Sequence, residues 1–140
     1  FKGYQSGIQA GADCVMVGNV SFSEVTVKKI PAFMSQDIVT KLLRKELKFD
    51  GIIMTSPFDD NVIRNNYTYE FATLEAVKAG CDMIVLPEKF KECYHALVSA
   101  VKEGKIDERV IDTSVYRILQ NKIRRGILAP EGTAQESHEQ

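Results

Sequence analysis

The phrase AGADCVMVGN, Ala10 to Asn19, returns later in the chain as AGCDMIVLPE, Ala79 to Glu88. In each copy Ala-Gly is the mark of a helix end, because glycine takes the left-handed conformation without a Cβ penalty. A short turn carrying Asp13 or Asp82 follows, and then a near-continuous apolar run. Such a run suits a strand buried on both faces of a parallel sheet rather than a half-exposed hairpin strand. A chain that repeats helix end, turn and buried strand is built from βα units, and in those the chemistry gathers just past the strand ends.

The remaining segments fit that scheme. Phe1 to Gln9 reads as the tail of a helix, and strands are expected at Cys14–Val17, Ile52–Thr55 and Met83–Leu86. Their starts lie about 38 and 31 residues apart, a normal βαβ spacing. Ser35 is the expected N-cap of an amphipathic helix over Gln36–Leu47, with Ile38, Val39, Leu42, Leu43 and Leu47 forming its apolar stripe. Further helices are expected over Tyr69–Ala79 and over Lys89–Glu103, the second stopped by Gly104. A final helical region, with Asp107 and Asp112 as N-caps, ends in Lys122-Ile123-Arg124-Arg125 with Gly126 beyond it. Ser56 to Tyr67 is rich in Asp and Asn and lacks helical periodicity, so it reads as a long loop on the functional side. Ala129 onward is polar and aperiodic and reads as a frayed tail.

Charge excludes some partners. Eighteen basic residues face 19 acidic ones, a formal net charge of -1, so there is no electrostatic case for nucleic acid or an anionic membrane. No run is long and apolar enough to span a bilayer. The chain opens on Phe1 rather than Met, so an authentic N-terminus is expected to lie upstream, and the compartment is left open. Cys14, Cys81 and Cys93 sit among apolar neighbours and read as buried free thiols. Met54, Met83, Phe49 and Phe90 read as core. No glycine loop resembles a phosphate cradle and no Cys/His/Asp cluster has metal spacing, so no cofactor is implied.

Three parallel strands cannot close a barrel, which takes eight. They leave two open sheet edges and a half-covered core, which favours a piece of a larger domain over a complete small α/β fold. The exposed edge of the first strand and the apolar face of the first helix would then favour self-association.

Read together, these segments resemble the C-terminal part of the barrel domain of family 3 glycoside hydrolases, in its β-N-acetylhexosaminidase branch. The resemblance covers Phe1 to Leu128 and rests on several ordered motifs. They are the run Phe1 to Val20, Pro31-Ala32-Phe33-Met34-Ser35, and Leu42-Leu43-Arg44-Lys45-Glu46-Leu47-Lys48-Phe49-Asp50-Gly51-Ile52-Ile53. Ala79-Gly80-Cys81-Asp82-Met83 follows, and then the closing set Asp112, Ser114, Val115, Arg117, Ile118, Leu119 and Lys122. The resemblance implies the C-terminal portion of a (β/α)8 barrel over residues 1–128, followed by a tail at 129–140. It also implies a parent enzyme that removes terminal β-linked N-acetylhexosamine, from cell-wall or chitin-type material, by a retaining mechanism.

In that family the second strand runs into Thr-Asp-Asp-Leu, whose first Asp is the nucleophile that forms a glycosyl-enzyme intermediate. Here the stretch reads Thr55-Ser56-Pro57-Phe58, which puts Ser56 at the nucleophile position. A serine hydroxyl stays protonated near neutral pH and cannot offset oxocarbenium charge as a carboxylate does. The family's acid/base, a His supported by an Asp, belongs to a loop upstream of Phe1. His95 falls on an outer helix and His138 in the tail, so neither replaces it. Asn19 stands where the family has a histidine.

Asp59 and Asp60 are alternative carboxylates three and four residues beyond Ser56, although two solvated loop aspartates explain them more simply. Asn19, Thr55 and Glu88 are candidate substrate contacts by position at the strand ends. Asn65-Asn66-Tyr67-Thr68-Tyr69 offers groups that suit a sugar, and helix-entry packing explains them equally well. Three functions follow. The first is a fragment of a retaining glycosidase, inactive alone. The second is a catalytically dead homologue that binds sugar or protein. The third is an unrelated α/β barrel enzyme acting on phosphorylated or carbonyl substrates, for which no phosphate motif speaks.

Overall fold

The computed structural model describes residues 2–21, 30–58, 61–86 and 88–129. Helix α1 (Lys2–Gln9) leads into strand β1 (Cys14–Val17). A single 3-10 turn (Ala32–Met34) and a π-type helix (Asp37–Glu46) then lead to strand β2 (Ile52–Thr55). Helices α2 (Asn61–Asn66), α3 (Tyr69–Ala79), α4 (Phe90–Lys102) and α5 (Glu108–Arg124) complete the described elements.

β1 and β2 pair in parallel, with Cys14 opposite Ile52 and Val17 opposite Thr55. The expected third strand, Met83–Leu86, is reduced to one parallel bridge between Met83 and Met54. Beyond it the Val85 N–H donates to the Thr55 hydroxyl at 3.1 Å, so a side chain takes the place of the next ladder bond. The chain is therefore mixed α/β around a parallel strand pair.

The glycines of the repeated phrase behave as their chemistry requires. Gly11 and Gly80 have φ of +86° and +105°. Gly80 is doubly constrained, because a Cβ there would stand 2.8 Å from the Thr40 hydroxyl. That hydroxyl donates to the Ala79 carbonyl at 2.7 Å and ties the π-type helix to the end of α3.

One main core joins strand residues Val15, Val17 and Ile53 to Phe33, Ile38, Val39, Leu43, Ala72 and Ala76. A smaller one gathers Val77, Ala100 and Ile106 between α3 and α4. The expectation of strands buried on both faces fails. β1 alternates exposed and buried, and Met16 is 50% exposed. Val15, Val17 and Ile53 are buried in the main core, whereas Cys14, Met16 and Met83 are exposed.

Other expectations are corrected too. Phe90 projects from the first turn of α4 at 66% exposure, stacks on the exposed Tyr94 and is not core. The stretch read as one long loop contains α2, a short helix too brief to show periodicity. The helix after Ser35 widens so that the Leu47 N–H reaches back to the Leu42 carbonyl, five residues away. No side chain caps its start, and Ser35 contributes its carbonyl to the Ile38 and Val39 N–H groups. Asp107 alone caps α5, accepting from the Arg109 N–H at 3.0 Å, whereas Asp112 lies inside that helix. The tail from residue 130, His138 included, lies outside the described residues.

Of the three thiols, Cys81 and Cys93 are buried as expected and Cys14 is exposed. Burial pushes the Cys81 thiol up to about 12, with the Asp82 carboxylate adding to the rise. Iodoacetamide at pH 8 should therefore modify Cys14 first in the native chain, leaving Cys81 until unfolding. Peptide mapping checks this, and a native Cys81 adduct would contradict the packing.

Candidate functional site

Parallel pairing brings the ends of β1 and β2 to one side of the sheet. There the Ser56 N–H donates to the Val17 carbonyl at 2.9 Å, and the Thr55 N–H donates to the Met83 carbonyl at 3.1 Å. Gly18-Asn19-Val20 leaves β1, Ser56-Pro57-Phe58 leaves β2, and Glu88 follows the third segment. The loop after β1 is pinned where the Ala32 N–H donates to the Val20 carbonyl at 3.1 Å. Asn19 is half-buried beside this pinned turn.

Ser56, the candidate at the nucleophile position, sits at this end. Its Oγ is shut off from solvent and has no hydrogen-bond partner among the described residues. Thr55 is fully buried, with its hydroxyl engaged by the Val85 N–H, which sets it behind the rim rather than on it. Glu88 is exposed, and its carboxylate accepts from Arg64 at 3.2 Å. Arg64 also donates to the Tyr69 hydroxyl at 3.3 Å, so one guanidinium braces α2, the start of α3 and the third segment's exit. Asp59 and Asp60 lie outside the described residues.

An aromatic wedge holds the exit from β2. Phe58, fully buried, stacks on Phe33 with ring centroids 5.1 Å apart and meets the edge of Tyr69 at 6.0 Å. Tyr67 stacks on Phe71 at 6.0 Å with the rings 3° from parallel. Thr68 caps α3 by accepting from the Phe71 N–H at 3.2 Å. Within Asn65–Tyr69, then, Tyr67, Thr68 and Tyr69 are all engaged in local packing or capping. His95 is exposed on α4 against Tyr94.

The strongest polar cluster lies at the opposite end of the strands, and motif reading passed it over. The Asp82 carboxylate is completely buried. It accepts from Arg44, from Arg117 and the Ser114 hydroxyl at 3.0 Å each, and from the Ile53 N–H at 2.8 Å. Burial pulls the Arg44 guanidinium below its ordinary value while Asp82 opposes the drop. Asp13, the matching residue of the first phrase, pairs with Arg124 at 2.6 Å and with Arg125, and its backbone carbonyl accepts from Asn121 at 3.2 Å. Ser114, Arg117, Asn121 and Arg124 recur every three or four residues, so one face of α5 clasps both phrases. The signal was present: the same Asp in both copies, and Arg and Ser at helical spacing near the chain's end. A groove of about 550 Å³ beside this clasp is lined by Lys48, Asp50, Tyr116, Gln120 and others.

Among the described residues no group of His, Cys, Asp or Glu is placed to hold a metal ion, and no helix is long and apolar enough to cross a membrane.

Known proteins share this arrangement. A β-N-acetylglucosaminidase of glycoside hydrolase family 3 from Paenibacillus superposes with a TM-score of 0.85 at 34% identity, over 97% of this chain and 26% of its own. Beta-hexosaminidase A of Pseudoalteromonas piscicida is 29% identical over 67% of this chain and 17% of its own length. Beta-glucosidase C of Emericella nidulans is 35% identical over 66% and 16%. The chain thus spans about a sixth to a quarter of the length of these proteins. Residues 1–121 match the glycosyl hydrolase family 3 N terminal domain, and the chain belongs to that family.

Proposed function

We propose that this chain is the C-terminal portion, residues 1–128, of a family 3 (β/α)8 barrel, with residues 129–140 as a polar tail. In a longer protein it would serve the hydrolysis of terminal β-linked N-acetylhexosamine by a retaining mechanism. Membership of the family supports a carbohydrate substrate. The N-acetyl preference draws on the likeness to the Paenibacillus enzyme, while β-glucosidases among the relatives make glucosides the competing class.

The observation that supports the reading is the parallel register of β1 and β2, which ends at Val17 and Thr55 and leaves Ser56 just past the strand end. With a hydroxyl there in place of a carboxylate, and that hydroxyl shielded, Ser56 would not form a glycosyl-enzyme bond, and Asp59 and Asp60 remain the alternative carboxylates. Incubated with chromogenic β-N-acetylglucosaminide and β-glucoside, the chain should release no more chromophore than buffer. Measurable turnover with retained configuration would overturn the assignment of Ser56.

A second reading, a catalytically dead homologue that binds sugar or protein, is favoured by the same shielded serine. Ser56→Asp in the full-length gene product separates the two. Recovered hydrolysis indicates a lapsed catalytic site on an intact scaffold, and continued silence indicates a rebuilt binding surface.

A further inference from the structure

One guanidinium ties together three segments at the C-terminal end of the sheet, the end where the chemistry of βα units gathers. Arg64 on α2 donates to the Glu88 carboxylate at 3.2 Å and to the Tyr69 hydroxyl at 3.3 Å. Tyr69 opens α3 and is buried, with its ring against Phe58, two residues beyond Ser56. Glu88 follows the third segment, which is fixed on β2 by the Thr55–Met83 and Val85–Thr55 bonds at 3.1 Å each. All of these contacts lie within residues 55–88, so the frame does not depend on what stands before them in the chain.

Glu88 is oriented by that frame and left open. Its side chain is 58% exposed, and among the described residues Arg64 is its one partner. A carboxylate has about four acceptor positions, so most of its capacity is unused. A pair this exposed contributes little to stability. Yet the backbone beside it is held in an unfavourable conformation, with Lys89 at φ +52°, which L residues rarely adopt. The Lys89 ammonium lies 5.8 Å from the centroid of the Tyr69 ring, so Tyr69 braces both Arg64 and the residue after Glu88.

We propose, resting on the glycosidase reading above, that Glu88 is a sugar-binding residue whose carboxylate accepts hydrogen bonds from the ring hydroxyls of a neutral pyranoside. Arg64 is the residue that positions it. An uncharged sugar offers several hydroxyl donors, and an ionised carboxylate is an acceptor-only group whose hydrogen bonds are stronger than neutral ones. Arg64 contributes direction. With its Nε held by Tyr69, the planar fork presents an outer nitrogen to Glu88 in a fixed orientation. An arriving sugar then meets a carboxylate already oriented, with less side-chain freedom left to lose.

The full-length gene product is titrated by calorimetry with N,N′-diacetylchitobiose and, separately, with cellobiose. For whichever disaccharide the unaltered protein binds, Glu88→Gln should weaken binding about tenfold or more, the loss expected of a hydrogen bond to a charged group. Its melting temperature should not change, because Glu88 is exposed. Arg64→Lys keeps the charge but not the fork and should weaken the same ligand. Added to Glu88→Gln it should cause no further loss, since Arg64 acts through Glu88. A merely structural pair would instead lower the melting temperature and leave the affinity of the folded protein intact. Undiminished binding by Glu88→Gln overturns the role of Glu88, and additive losses in the double variant overturn that of Arg64; either result leaves the glycosidase reading standing. An unaltered protein that binds neither disaccharide overturns both.

Discussion

Asp82→Ala should lower the stability of this chain by about 3–5 kcal/mol, as expected when one partner of a buried ion cluster is removed. The carboxylate has no exposed surface and Arg44 little, so the weak interaction of an exposed pair is the wrong guide. Without Asp82, Arg44 keeps its bonds to the Phe49 and Gly51 carbonyls but loses its counter-charge, and the Ile53 N–H and Ser114 hydroxyl lose their acceptor. Asp82→Asn preserves shape and some hydrogen bonding, so its loss should be intermediate. Lys41→Ala, which removes the exposed pair with Asp37, should leave the urea midpoint nearly unchanged. Urea unfolding at pH 7 measures all three. A shift for Asp82→Ala no larger than that for Lys41→Ala would show that the clasp contributes nothing.

Phe58→Ala should cost a similar amount, about 3–5 kcal/mol, through lost burial and the cavity left between Phe33 and Tyr69. Either loss is a large share of the 5–15 kcal/mol that typically holds a domain together. Phe58→Leu keeps most of the volume, and Leu is the residue of the family motif at this position, so about 1.5 kcal/mol or less is expected. The ring sits two residues beyond Ser56, so the alanine variant should also loosen the exit from β2. Faster amide exchange at Ser56 and Tyr69 would report that, and unchanged exchange with an unchanged midpoint would show that the wedge is dispensable.

What the sequence revealed was mostly what the backbone dictates. Ala-Gly closes helices in both copies of the repeated phrase, and parallel pairing follows from the run after it. What it hid depends on neighbours distant in the chain. Whether Met16 faces solvent depends on what covers the far side of the sheet, which no local pattern states. The bond from Val85 to the Thr55 side chain, which replaces a stretch of third strand, is likewise invisible to an apolar run. Asp82 looked like a turn residue because the arginines that neutralise it, Arg44 and Arg117, lie 38 positions before it and 35 after it. At the candidate site, the family motif singled out Ser56, but only packing could show its hydroxyl shielded from solvent.

The reach of α5 across both phrases bears on how the chain comes into being. Synthesised from the N-terminus, it emerges with Asp82 long before Arg117, an interval of roughly 2–7 s at 5–20 residues per second. During that time the acidic root of the sheet has only Arg44 to answer it, and the strands stay unfinished on the ribosome. Ribosome-bound chains halted short of residue 117 should remain open to protease, with protection arriving once the last helix emerges.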